Sequence, residues 1–94
     1  MMFAKDLRDR VRDGGITCSV RVWQSQRVKP GGRYPLAPGQ IEVDSIREIA
    51  PDDVTDDLAR RSGFADVDAL MAVARHGSGH NVYLVEFHYI APAA

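Results

Sequence analysis

Thr17, Ser19, Arg21 and Trp23 stand at alternate positions, and a strand turns alternate side chains to the same face. Two hydroxyls, a guanidinium and an indole would then form one row, with the apolar Cys18, Val20 and Val22 facing the core on the other side. A guanidinium pairs with phosphate through charge-assisted hydrogen bonds, hydroxyls donate and accept beside it, and an indole stacks on a nucleobase. The row therefore carries the chemistry of nucleotide recognition. The competing assignment is structural: Trp23 packed beneath the following loop, and Arg21 tied to a carboxylate such as Glu86.

The segment after the row continues the same chemistry. Residues 24–32 end in Lys29-Pro30-Gly31-Gly32, a turn or mobile loop, and Arg27, Lys29 and Arg33 fall within seven residues. Such a loop can fold over a polyanion, with Tyr34 beyond it as a second stacking surface. Charge is distributed unevenly along the chain. Residues 1–33 hold eight basic and three acidic side chains, net +5, while residues 34–94 hold four basic and ten acidic ones, net −6. The overall charge of −1 argues against indiscriminate nucleic-acid binding, whereas the asymmetry predicts a basic pole facing an anionic partner.

Positioning these groups requires a small set of elements. Phe3, Leu7 and Val11 recur every four residues, which predicts an amphipathic helix over 3–13 that ends at Gly14 and Gly15. Lys5, Arg8 and Arg12 share its outer face, and Asp6 and Arg10 are placed for an i,i+4 pair. A short strand is expected over 33–36, a tight turn at Pro38-Gly39 and a longer strand over 40–49. Within that strand Ile46 falls out of phase with Ile41 and Val43, so a bulge near Asp44 or Ser45 is expected, as in small sheets that close into barrels. Thr55 caps a helix with Asp56 and Asp57 in its first turn and Arg60 and Arg61 in its last, before Gly63 and a core anchor at Phe64. Asp66 caps another helix, running from Val67 to about Arg75, with Leu70, Met71 and Val73 among its buried residues.

Residues 81–90 are apolar on both faces, the mark of a central strand. Tyr83, Val85, Phe87 and Tyr89 form one face; Val82, Leu84, Glu86, His88 and Ile90 form the other. Glu86 is the polar exception, expected to pair with Arg21 or to act as a base on Ser19. His76 and His80 flank two glycines without a third ligand, so no metal site and no cofactor are expected. Residues 91–94 read as a loose tail.

Ninety-four residues, 45% hydrophobic and 27% charged, suit one globular domain. No apolar run is long enough to span a membrane, the first fifteen residues are too charged for a signal peptide, and the single cysteine suits a reducing compartment. A cytoplasmic location is expected.

Taken in order, the run from Gly14 to Arg21 resembles the ASCH-domain signature, a glycine, a lysine two positions on, a threonine and an arginine, set just after an amino-terminal helix. The Lys29–Tyr34 loop, the strand over 40–49, the segment over 54–64 and the strand from Val82 to Phe87 follow in that family's order. The resemblance implies an α+β fold with a small, mostly antiparallel PUA-like β-barrel, an N-terminal helix and two middle helices around it. It implies an RNA or nucleotide partner, held over residues 17–23 by Thr17, Ser19, Arg21, Trp23, Lys29, Arg33 and Tyr34. Some members resemble hydrolases of RNA or of acylated cytidine. Here Gly14 and Arg21 match the signature, Ser19 replaces the threonine and Ile16 stands at the lysine. Arg60, Arg61 and Ser62 occupy the region of the amidohydrolase glutamate. A serine without an activating lysine or base is a poor nucleophile. RNA cleavage by the substrate's own 2′-hydroxyl needs only a proton acceptor and cations. Binding is thus the first expectation and a metal-independent ribonuclease the alternative, a modified-cytidine amidohydrolase ranking behind it, with Ser19, Arg21 and Glu86 as candidate catalytic residues.

Overall fold

A computed structural model describes residues 3–74 and 79–92 of the chain. Helix α1 (Lys5–Arg12) precedes strand β1 (Cys18–Trp23); β2 (Arg33–Leu36) and β3 (Gly39–Ile49) form a hairpin; α2 (Asp56–Arg61) and α3 (Val67–Ala74) lead to β4 (Asn81–Ile90). All strand pairings are antiparallel, in the order β1-β4-β3-β2, and the sheet curls into a half-barrel. The expected barrel therefore stays open, with β1 at one edge and β2 at the other. No helix among the described residues is long and apolar enough to cross a membrane.

Strand β4 occupies the middle because neither of its faces can be left to water. On the first face Val85 and Phe87 are fully buried under Phe3, Leu7 and Val11 from the α1 region, with Ile16 and Val28 beside them. The rings of Phe3 and Phe87 meet at 5.4 Å in a tilted arrangement, a geometry that aromatic quadrupoles favour. On the second face Val82 and Leu84 pack with Cys18, Val20 and Val22 of β1 against Leu58, Ala59 and Leu70 of the other helices. Helices thus cover both faces of the sheet, each over its own apolar cluster.

The phase slip in β3 is resolved by a bulge. Val43 pairs with Phe87, but Ser45 pairs with Glu86, which leaves Asp44 as the extra residue. Ile46 then lies opposite Val85, so Ile41, Val43 and Ile46 all pack on the first core. Without that extra residue Ile46 would turn to the other face.

Local signals account for most of the helix ends. Thr55 Oγ1 accepts the Leu58 N–H at 3.2 Å, and Asp66 Oδ1 accepts the Ala69 N–H at 2.8 Å. The first helix starts later than its periodicity suggests, at Lys5, with Phe3 buried ahead of it. Its intrahelical ion pair joins Asp9 to Arg12 rather than Asp6 to Arg10. Arg8 and Arg12 are half-buried, because their guanidinium groups also donate to the carbonyls of Phe3 and Ala37. Val73 is 52% exposed, contrary to its assignment to the core, since the short α3 presses only its Leu70 side fully into the sheet.

Gly14 and Gly63 hold left-handed conformations, with φ of 84° and 97°. A Cβ on Gly14 would meet open space, whereas one on Gly63 would lie 2.7 Å from both Ile16 Cδ1 and Leu7 Cδ2. Gly14→Ala is therefore expected to cost about 1 kcal/mol, the backbone penalty alone. Gly63→Ala is expected to cost about 2 kcal/mol or more, because overpacking is added. Urea unfolding of both variants checks this; equal losses would show that Gly63 is not held by packing.

Candidate ligand site

The open edge of β1 is where a hollow forms. Ser19, Val20, Arg21, Val22 and Trp23, five consecutive residues with side chains on both faces, line one hollow of about 230 Å³. A surface that touches both faces of a strand must run along its edge, and among the described residues no strand pairs with β1 there. The remaining walls come from Phe3, Ala4 and Leu7 before and within α1, from Ser62 and Phe64 after α2, and from Leu70, Val73 and Ala74 of α3. Arg27, in the loop after β1, and Gly79 complete the rim.

The polar row of β1 is not a solvent-facing surface. Ser19, Arg21 and Trp23 share the face of Tyr83 and Val85, which α1 covers, so both faces of this strand belong to the core. Ser19 is buried, and its Oγ accepts the Arg21 Nε–H at 2.8 Å. The Arg21 guanidinium lies over the Phe3 ring, 5.0 Å from its centroid, in cation–π contact. Burial lowers the pKa of this guanidinium from its usual value, since low-dielectric surroundings disfavour the charged form. Trp23 is half-buried, with its indole 5.8 Å from the Tyr83 ring.

The expected partnership of Arg21 with Glu86 does not form. Arg21 lies opposite Tyr83, whereas Glu86 lies opposite Cys18, so their side chains leave opposite faces of the sheet. Glu86 instead accepts a hydrogen bond from Ser45 Oγ at 3.3 Å. Ser19 lies opposite Val85, and the same alternation keeps Glu86 from serving as its base.

Other sequence candidates fall elsewhere. Thr17 is exposed just before β1, where its carbonyl accepts the Phe87 N–H at 2.9 Å. Tyr34 and Arg33 belong to β2, at the far edge of the sheet. Arg33 pairs there with Glu42 at 2.9 Å, and Tyr34 Oη accepts the Lys29 N–H at 3.2 Å. The basic loop is therefore divided: Arg27 reaches the hollow, while Lys29 and Arg33 accompany the β2–β3 hairpin. His76 lies outside the described residues, and His80 is exposed.

Ser62, Phe64 and Leu70 were not foreseen in the hollow. Their only sequence signal was the Gly63 stop between two short helices, which turns the chain back onto β1. Ser62 is buried and hydroxyl-bonded to the Leu58 carbonyl at 3.0 Å, with Cys18 Sγ 3.6 Å from its Oγ.

Arg21→Lys keeps a cation but removes both the Nε–H bond to Ser19 and the planar contact with Phe3. The expected loss is about 1–2 kcal/mol in urea unfolding, the size of a charged hydrogen bond with a cation–π contact. An unchanged midpoint would show that neither interaction stabilises the fold.

No protein family, no curated protein and no solved structure matches this chain.

Proposed function

We propose that the chain is an RNA-binding domain of ASCH type, with a PUA-like fold, that takes one unpaired base of a single-stranded segment into the hollow at the β1 edge. The observation that carries this reading is the convergence of Ser19, Arg21, Trp23 and Arg27 on one apolar-walled hollow. At about 230 Å³ it is smaller than the roughly 300–1,000 Å³ clefts that enclose drug-sized ligands. One planar ring suits it better than a longer ligand, with the attached sugar and phosphate left at the mouth. Trp23 supplies the stacking surface, Arg21 and Ser19 supply hydrogen bonds to the base, and exposed Arg27 meets the phosphate. The element order that follows the ASCH pattern adds support of a different kind.

Binding is favoured over cleavage because the described lining of the hollow includes no aspartate, glutamate or histidine to accept a proton. Serine alone is a weak nucleophile. The buried, unpaired Cys18 suits a cytoplasmic setting.

Fluorophore-labelled short single-stranded RNAs titrated with the chain, followed by the anisotropy of the label, test the assignment. Arg27→Ala should weaken binding and lower the slope of log affinity against log salt by about 1. Trp23→Ala should cost about 1–3 kcal/mol of binding, with circular dichroism verifying the fold. Lys29→Ala and Arg33→Ala should have smaller effects. Affinity unchanged in Arg27→Ala, Arg21→Met and Trp23→Ala alike would overturn the site. Labelled RNA should stay intact on incubation; cutting that disappears in Arg21→Met would establish the ribonuclease instead.

A further inference from the structure

A second cluster lies on the outer part of the β3–β4 surface, apart from the hollow. Glu42 and His88 are direct partners across the two strands, and Asp44 is the extra residue of the bulge that follows. The three offer donor atoms within 4.8 Å of one another. From these positions we propose that Glu42, Asp44 and His88 form a binding site for a divalent transition-metal ion, zinc(II) being the best match to the donors.

The argument rests on how the imidazole is held. His88 Nδ1 lies 2.8 Å from Asp44 Oδ1. With the proton on Nδ1, that carboxylate accepts it and leaves the Nε2 lone pair available, the arrangement by which carboxylates orient metal-binding histidines. Nε2 faces Glu42 Oε2 across 3.9 Å. Two bonds of about 2.0–2.2 Å each, from zinc to nitrogen and to oxygen, together slightly exceed that separation, so an ion set off the line between the two atoms can touch both with little movement. The other Glu42 oxygen accepts the Arg33 Nε–H at 2.9 Å, which holds the carboxylate with Oε2 toward His88. A purely acidic pair would suit calcium or magnesium; the imidazole shifts preference to zinc and its neighbours.

Access and rigidity fit the same purpose. The side chains of Glu42, Asp44 and His88 are 28%, 50% and 48% exposed, so water can complete the coordination shell. Both strands are locked in the sheet, which removes the ordering cost a loop site would carry. The Arg33 cation opposes a second positive charge, so moderate rather than extreme affinity is expected.

Isothermal titration of the full chain with zinc chloride, in a chelator-stripped, non-coordinating buffer near neutral pH, tests the site. One ion per chain is expected. His88→Ala should weaken binding at least tenfold, and Asp44→Asn about 10- to 100-fold, the usual cost of losing a ligand's carboxylate partner. The His76→Ala/His80→Ala double variant should bind as the unaltered chain does. A readout independent of variants is the His88 ring proton signal by NMR, which paramagnetic cobalt(II) should shift or broaden. The proposal is overturned if zinc does not bind, if binding follows His76 and His80 instead, or if cobalt leaves the His88 signal unmoved.

Discussion

Strand β4 has no polar face over its first half, and that constraint shapes everything around it. Val82 and Leu84 demand cover on one side, while Tyr83, Val85 and Phe87 demand it on the other. A half-barrel of four strands can meet both demands only with helices on each face. Those helices come from different ends of the sequence, α1 before the sheet begins and α2–α3 just before β4 closes it. Because β1 pairs with β4 on one side only, α1 and α3 converge beyond its other edge, with no strand of the described residues between them. The hollow is the space left there.

Burial of Arg21 follows from the same arrangement. A guanidinium on the α1-covered face of β1 loses water, and the structure offers it the Ser19 hydroxyl and the Phe3 ring. These contacts hold the planar group without a carboxylate taking part in either. Neutralisation by Glu86 is ruled out by strand alternation, which sends the two side chains through opposite faces. The result is a held cation beside an apolar hollow, which gives that hollow a polar end and an apolar end. Arg27 adds a second cation at the rim, where it is exposed to water.

The bulge in β3 has two consequences of different kinds. It returns Ile46 to the first core, extending the apolar cluster along the strand. It also sets Asp44 outside the regular pairing, where its carboxylate reaches His88. One inserted residue thus serves packing on one face and brings three polar side chains together on the other. Arg33, which the sequence suggests as part of a nucleotide-binding loop, is drawn into this second group by its pairing with Glu42 across the hairpin.

Much of the fold was legible in the chain alone because the controlling forces act locally. The caps at Thr55 and Asp66, the stops at Gly14 and Gly63, the β2 and β4 boundaries and the bulge after Val43 are all written in residue type and period. The chemistry of Ser19, Arg21 and Trp23 was also visible there. Alternation could say that these three share a face, but not which helix would cover it, since burial depends on partners dozens of residues away. Sequence proximity likewise suggested that Lys29, Arg33 and Tyr34 would join them, whereas β4 and β3 separate β1 from β2. The meeting of Ser62, Phe64 and Leu70 with the β1 edge, and of Glu42 and Asp44 with His88, arose from long-range pairing. Local preference sets which way a side chain leaves its strand; only the closed packing of distant segments sets what it meets.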